Sequence, residues 1–396
     1  MVGAHAFFLW SVRERIAKGD PDFTSFYSAG VLLREGHGDQ LYNGYAQQQV
    51  QQQFANDSDI RRGPLPYIHP AYEALLFAPL TLLTYQAAFL VWEGLNLTLL
   101  VTIAVLLRRS LPSLQPVSGW EWGLGLLAFF PVFANFLQGQ DAVLLLLVFV
   151  LCFRALDSNS ELIAGLWLGL GVFRFHLLIP LVLILALWRR RKMVAGFAVT
   201  SSAAAVASLA IVGWHGAMQY PAYVWHWAST AGVGNMPASL MPNLLGLVTG
   251  WPLPQNARWP LQLGVIAGSL ALLIMVARLR SAGNESGISH LSFACAVIAA
   301  LLTSYNTGSY DLCLLVLPFA LIADYALQIF PQLPEVGRKI LLPSLPLLVS
   351  PLWFLLWRRW ERINLMAIFL LWWMYAIRRE IVRITGNFEG TSRRLS

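Results

Sequence analysis

Apolar residues run through this chain in long blocks separated by short polar connections in which Lys and Arg collect. Several blocks approach the roughly 20 residues that an α-helix needs to cross a hydrocarbon core about 30 Å thick. The clearest are 86–107, 193–213 and 340–357. Trp and Tyr crowd the block ends, among them Trp120, Trp122, Trp188, Trp214, Trp251, Trp357 and Trp360, where amphipathic rings would sit at headgroup level. The pattern predicts an all-α fold, a polytopic transmembrane helix bundle in which residues 1–396 form a single integral membrane domain.

Two segments break the apolar pattern. Residues 13–72 are polar, yet aromatic and aliphatic residues recur through FTSFYSAGVLLREG, which predicts a long first loop carrying short amphipathic helices at the interface. Within it YAQQQVQQQF reads as an exposed surface helix, and the prolines of PLPYIHPAY restrict the backbone before the chain re-enters the membrane. Residues 214–260 hold Trp, Tyr and Pro with one Arg and no Lys, and read as a second loop resting on the membrane. The opening MVGAHAFFLWSV lacks a basic flank and a small-residue cleavage site, so it reads as a short first helix and not a signal peptide.

The charges orient the blocks. Arg108–Arg109, Arg189–Lys192, Arg278–Arg280, Arg338–Lys339 and Arg378–Arg379 mark cytoplasmic ends under the positive-inside rule. Blocks 120–137 and 141–156 then form an out-and-back pair whose turn, QGQD, lies outside. The same parity requires 161–188 to leave and return, breaking near GVFRFHLLIP, although by length it could be one helix. It places TSYNTGSYD outside, and also Arg358, Arg359 and Arg362, against the rule.

With 57% hydrophobic and 12% charged residues, against about a quarter charged in soluble domains, no water-soluble surface can be built. The net charge of +7 is explained by the topological clusters and does not form a nucleic-acid face. Cys152, Cys295 and Cys313 fall inside apolar blocks, which argues against disulfides or a thiolate metal site. There is no phosphate loop, dinucleotide fingerprint, HExxH or GxSxG motif.

Folded into this topology, five separated pieces of sequence bring polar groups to the outer side: Asp22, the Tyr67–His69 turn, Gln138–Asp141, Arg174 with His176, and Tyr310–Asp311. Ionisable groups at membrane depth are costly and point to function by default. Asp22 suits either a cap for the helix that follows or a general base. Arg174 suits either an ion pair with Asp141 or Asp311, or a clamp on a phosphate. His69 and His176 without a spaced carboxylate pair make a weak metal case, so no metal or other cofactor is expected. Glu93 and Asn96 read as a contact between helices.

The runs PDFTSFYSAGVLLREG…LYNGYAQQQVQQQF and LPYIHPAYEALLFAPLTLLTYQAAFLVWEGLNL resemble glycosyltransferase family 87, polytopic enzymes of GT-C architecture that use polyprenyl-phosphate sugars. The resemblance continues through FLQGQDAVLLLL, AGLWLGLGVFRFHLLIPL and SYNTGSYDLCLLVLP. It implies Asp22 as general base, Arg174 and His176 on the donor phosphate, and Tyr27, His69, Gln140, Tyr310 and Asp311 around the substrates. The family usually has Lys-Pro where Arg174 and Phe175 stand, and often His-Asp where Tyr310 and Asp311 stand. What it implies is an inverting hexosyltransferase, mannose first, moving sugar from a polyprenyl-phosphate donor to a glycolipid or glycan hydroxyl at the outer face of a bacterial inner membrane. Residues 214–260 would help cover the donor or acceptor. A lipid-linked-sugar flippase and an O-antigen-type ligase or polymerase are the rival readings; neither an internal repeat nor a basic late loop supports them.

Overall fold

The computed structural model describes residues 1–55, 65–229, 240–249, 255–279, 289–349 and 365–395, and every regular element among them is helical. A bilayer imposes this, because a helix satisfies its backbone hydrogen bonds within itself. Among the described residues five helical stretches are, by length and apolar composition alone, sufficient to cross: Tyr85–Ser110, Glu161–Leu187, Arg191–Trp227, Trp259–Ala277 and Asp311–Ile329, of which Glu161–Leu187 is broken at Gly171–Arg174. Gly119–Ala128 and Phe130–Gln138 make a further span bent by 69°. The bend follows from an extended Phe129 and from Pro131 in the first turn of the second piece, where a missing N–H costs nothing. The out-and-back pair then closes through Gly139, whose φ of 61° reverses the chain before the helix Ala142–Asp157.

The segment Glu161–Leu187, at 27 residues, would span about 40 Å as one straight helix. Its ends do not stand that far apart, for Arg190 Nη1 donates to Glu161 Oε1 at 2.9 Å. Packing fixes the direction. Gly165 lies against Met193 and Phe197, Gly169 against Phe197 and Thr200, and Thr200 Oγ1 donates to the Leu166 carbonyl at 3.0 Å. Contacts advance together along both helices, so Glu161–Leu170 runs parallel to the start of Arg191–Ser229. Phe175–Leu187 must therefore come back, after a tight turn at Gly171–Arg174. The return that charge parity demands is the path the chain takes, with Arg174 at its tip.

At the base of this return the basic clusters assemble. Trp188 Nε1 donates to the Ala277 carbonyl, His290 lies 3.5 Å from Asp157, the Ser113 N–H reaches Asp324, and Trp373 Nε1 reaches Ile340. These contacts gather Arg108–Arg109, Arg189–Lys192, Arg278, Arg338–Lys339 and Arg378–Arg379 at the end of the bundle away from Arg174.

Two expectations need correcting. The block 340–357 does not begin as one helix: Pro334–Leu341 gives way to short turns Leu342–Ser344 and Leu345–Leu348, each with a proline in its first turn. Residues 350–357, with Arg358, Arg359 and Arg362, lie outside the described residues. The stretch 214–260 is not a loop at its start, because helix continues to Ser229 after breaking at Gly213, φ 67°. That helix turns Trp214, Met218 and Trp225 outward, while the Tyr220 hydroxyl donates to Ile68.

Over the end opposite the basic clusters, the first loop packs its own core, with Phe23, Phe26, Tyr67, Phe77 and Trp92 buried. The Gln-rich helix Gly44–Phe54 is not simply exposed. Gln47 accepts from the Tyr67 N–H at 2.9 Å, and Gln51 both accepts from and donates to the Leu65 backbone. Two buried amides thus hold the strand of prolines that carries His69.

The close parallel packing of the return sets a test. A Cβ at Gly165 would meet the Met193 carbonyl oxygen at 1.9 Å, so Gly165→Val should destabilise by about 1–3 kcal/mol through overpacking. Gly94 faces open space, and Gly94→Ala should not. Melting midpoints of the two purified variants check this; an unchanged Gly165→Val midpoint would remove the parallel pairing.

Candidate active site

At the end of the bundle under the first loop lies a cavity of about 420 Å³, lined by Asp22, His69, Gln138, Gln140, Arg174, His176, Asn306 and Tyr310 among others. The size falls within the roughly 300–1,000 Å³ usual for small-molecule sites.

Arg174 is its hub. Nε donates to Asp141 Oδ1 at 2.6 Å, Nη1 donates to Asp311 Oδ1 at 2.8 Å, and Nη2 meets both Asp141 and Gln140 Oε1. The Tyr310 ring centroid lies 5.2 Å from the guanidinium carbon. The partners come from two separate turns. Asp141 and Gln140 follow Gly139, and Asp311 opens the span Asp311–Ile329, its second oxygen accepting the Gly308 N–H at 2.6 Å. All three charged side chains are almost wholly buried. The ion-pair reading of Arg174 is therefore realised twice over, and its charge is already balanced by two carboxylates.

Gln140 carries the link onward. Its Nε2 donates to Asp22 Oδ2 at 2.8 Å while its Oε1 accepts from Arg174. The amide orientation is dictated by chemistry, since a carboxylate can only accept and a guanidinium can only donate. Asp22 stands at the start of the helix Phe23–Arg34, but its carboxylate makes no capping hydrogen bond to that helix. The Asp22 N–H is instead held by Gln138 Oε1 at 3.2 Å. Asp22 thus reaches the cavity wall through its contact with Gln140.

His69 points Nδ1 at Glu73 Oε2, 2.8 Å away, with Asp141 Oδ2 at 3.6 Å. Burial pushes its imidazole down to about 4, and the Asp141 carboxylate only partly opposes that. His69 is accordingly neutral near pH 7. His176 Nδ1 lies 2.9 Å from Ser304 Oγ, with its ring against Phe175 and Tyr305.

Of the residues singled out in the sequence, Asp22, His69, Gln140, Arg174, His176 and Tyr310 line one cavity, with Asp311 directly behind Arg174. Tyr27 is a correction. It does not line the cavity, because its hydroxyl donates to the Leu83 carbonyl at 2.8 Å and its ring packs on Phe54 and Tyr85. The weak metal case also changes. It rested on histidines without spaced carboxylates, whereas His69, Glu73 and Asp141 present ligand atoms within 4.8 Å of one another. Glu73 was missed although a signal existed: HPAYE spaces a histidine and a glutamate by four, one helical turn.

Removing Arg174 should leave Asp141 and Asp311 facing each other without a cation. Breaking a buried pair on one side costs about 3–5 kcal/mol, so Arg174→Ala should lower the melting midpoint markedly, and Arg174→Lys less. The double variant Arg174→Ala with Asp311→Asn should recover part of the loss. Thermal unfolding of the three proteins decides it.

No curated protein and no solved structure matches the chain. A sequence model of one family does, over residues 67–304, which include His69, Gln140, Arg174 and His176 but neither Asp22 nor Asp311. That match covers more than half of an apolar, membrane-spanning chain whose polar groups converge on one cavity, and the protein belongs to glycosyltransferase family 87 and is a membrane glycosyltransferase.

Proposed function

We propose that the protein transfers a hexose, with mannose the first candidate, from a polyprenyl-phosphate donor to a hydroxyl of a glycolipid or glycan acceptor at the extracytoplasmic face. The observation that carries this reading is the Asp22 carboxylate, which lines the cavity and is tied through Gln140 to Arg174. Family membership favours transfer over the flippase and ligase readings.

The reaction is a single displacement. Asp22 takes the proton from the acceptor hydroxyl, the oxygen attacks the anomeric carbon, and the bond from that carbon to the donor phosphate oxygen breaks. Configuration inverts, and the polyprenyl phosphate leaves with the bonding electrons. A base must lie within hydrogen-bond reach of the proton it removes, and the Gln140 amide fixes Asp22 for this. Arg174 lies where charge builds on the leaving phosphate, the kind of electrostatic aid that often contributes most to catalysis. His176 and Tyr310 complete that wall of the cavity.

The outward face is supported by the gathering of basic clusters at the opposite end of the bundle, and an outer site suits a lipid donor because sugar nucleotides are cytoplasmic. An acceptor would enter under the first loop, and the donor's lipid would lie along the apolar flank, where Trp214, Met218 and Trp225 face outward.

The decisive experiment incubates purified protein with labelled polyprenyl-phosphate sugars and candidate acceptors and follows label transfer. In the same assay Asp22→Asn should lose a factor of about 10²–10⁴ in turnover, the usual contribution of a general base. Folding and donor binding should persist, because Asn can still accept from Gln140. Undiminished transfer by Asp22→Asn would move the base elsewhere, to Asp141 or Asp311 first.

A further inference from the structure

We infer that His69, Glu73 and Asp141 form a divalent-cation site, of the kind that takes Mn²⁺ or Zn²⁺, set into the wall of the cavity beside Arg174. Three observations carry it. First, the ligand atoms converge: His69 Nδ1 is 2.8 Å from Glu73 Oε2 and 3.6 Å from Asp141 Oδ2, and all three residues offer atoms within 4.8 Å of one another. Bonds of about 2.0–2.2 Å to nitrogen and oxygen place neighbouring ligands near such separations. Second, each of the three side chains carries a buried atom without a hydrogen bond. His69 Nδ1, Glu73 Oε1 and Asp141 Oδ2 are each sealed from solvent with no hydrogen-bond partner, and the Glu73 and Asp141 side chains are 2% and 0% exposed. Buried polar atoms without partners are rare and call for an unobserved water or ion.

The third observation is the charge. Asp141 and Asp311 meet the one guanidinium directly, Asp22 is joined to it through Gln140, and Glu73 stands behind His69, so four carboxyl groups crowd a single cation. Arg174 cannot balance more, since it already meets Asp141 and Asp311. An anionic ligand entering this cavity would meet repulsion unless a further positive charge is present. A divalent cation held by Glu73 and Asp141 supplies that charge and satisfies the three orphaned atoms together.

The ligand chemistry indicates which ion. One imidazole with two carboxylates suits Zn²⁺ or Mn²⁺, whereas Ca²⁺ takes six to eight oxygens and Mg²⁺ keeps several waters. The site's own frame is stiff: Glu73 ends the short helical turn Ala71–Glu73, Tyr67 Oη donates to Glu73 Oε2 at 3.2 Å, and Arg174 orients Asp141 through its other oxygen. Such outer partners usually support metal ligands. As a consequence that rests on the transfer reading above, the cation would face the donor phosphate together with Arg174.

The test needs no donor. Full-length protein in detergent, stripped with chelator, is titrated with Mn²⁺, free ion being followed by its electron paramagnetic resonance signal, and with Zn²⁺, bound ion being counted by elemental analysis after desalting. One equivalent should bind per chain, with a rise in melting midpoint. Glu73→Gln, which fills the same volume, should weaken binding by more than the roughly 10–100-fold loss typical of outer-shell changes. His69→Ala should do the same, and Glu161→Gln, at a distant ion pair, should not. No stoichiometric binding up to millimolar ion, or binding that survives Glu73→Gln and Asp141→Asn alike, would overturn the site. Absent binding with a raised melting midpoint in Glu73→Gln would show that a proton shared between Glu73 and Asp141 does the balancing. Because binding is read directly, it can fail while sugar transfer stands, and transfer can fail while binding stands.

Discussion

A guanidinium sealed among helices costs several kcal/mol unless carboxylates meet it with good geometry, and Arg174 is met by two of them on different oxygens and from different turns. The pair constrains everything around it. Arg174 sits at the tip of a return built from Glu161–Leu170 and Phe175–Leu187, Asp141 at the tip of the bent pair and Ala142–Asp157, and Asp311 at the head of Asp311–Ile329. No one of these tips could be repositioned without leaving a charge unpaired. Burial of ion pairs gives little net stability against apolar replacements but punishes misassembly, so the network acts chiefly as register control for three separate hairpin tips.

That control reaches the first loop through one amide. Gln140 cannot turn over, because reversal would set its NH₂ against Arg174 and its oxygen against Asp22. Asp22 thus takes its orientation from the bundle and not from the helix it precedes. The first loop has its own aromatic core, docked on the helix Tyr85–Ser110 through Trp92, whose Nε1 donates to the Gly139 carbonyl at 3.0 Å. Asn96 reaches the Gln140 carbonyl at 3.3 Å. Of the polar contact between helices expected at Glu93 and Asn96, Asn96 makes its part and holds the turn that bears both Gln140 and Asp141, whereas both Glu93 carboxylate oxygens are buried without a hydrogen-bond partner.

Much of this was legible in the sequence because it follows from long-range constraints that act on whole blocks. Apolar length gives spans, and clustered arginines give parity; together they require the fold-back of 161–188 even though its hydropathy is continuous. What escaped was local. Prolines 343 and 346 divide a block that mean hydropathy treats as one. Tyr27 belongs to the same motif as Asp22 yet faces the Leu83 carbonyl, since neighbours on a helix point in different directions. Glu73 was overlooked because the prolines of PLPYIHPAY suggested an irregular turn, while the chain resumes a helical turn at Ala71–Glu73 and brings Glu73 beneath His69. The second carboxylate of that triad lies 68 residues further on, across a contact that no spacing rule announces.

The departures from the family pattern gain a physical sense from the same network. Where the family usually carries lysine, this chain has arginine, and the structure uses the fork that lysine lacks: separate nitrogens address Asp141, Asp311 and Gln140 at once. A lysine could contact these groups only as a point charge. The loss of the proline after it is tolerated because the turn Gly171–Arg174 is already broken from the helix at Arg174, with φ −110° and ψ 54°. Tyr310 in place of histidine stacks its ring toward the guanidinium, keeping an uncharged group next to a cation that is already committed. These substitutions belong together: a planar cation needs planar and bidentate partners, and the replacement of one would be expected to unsettle the others.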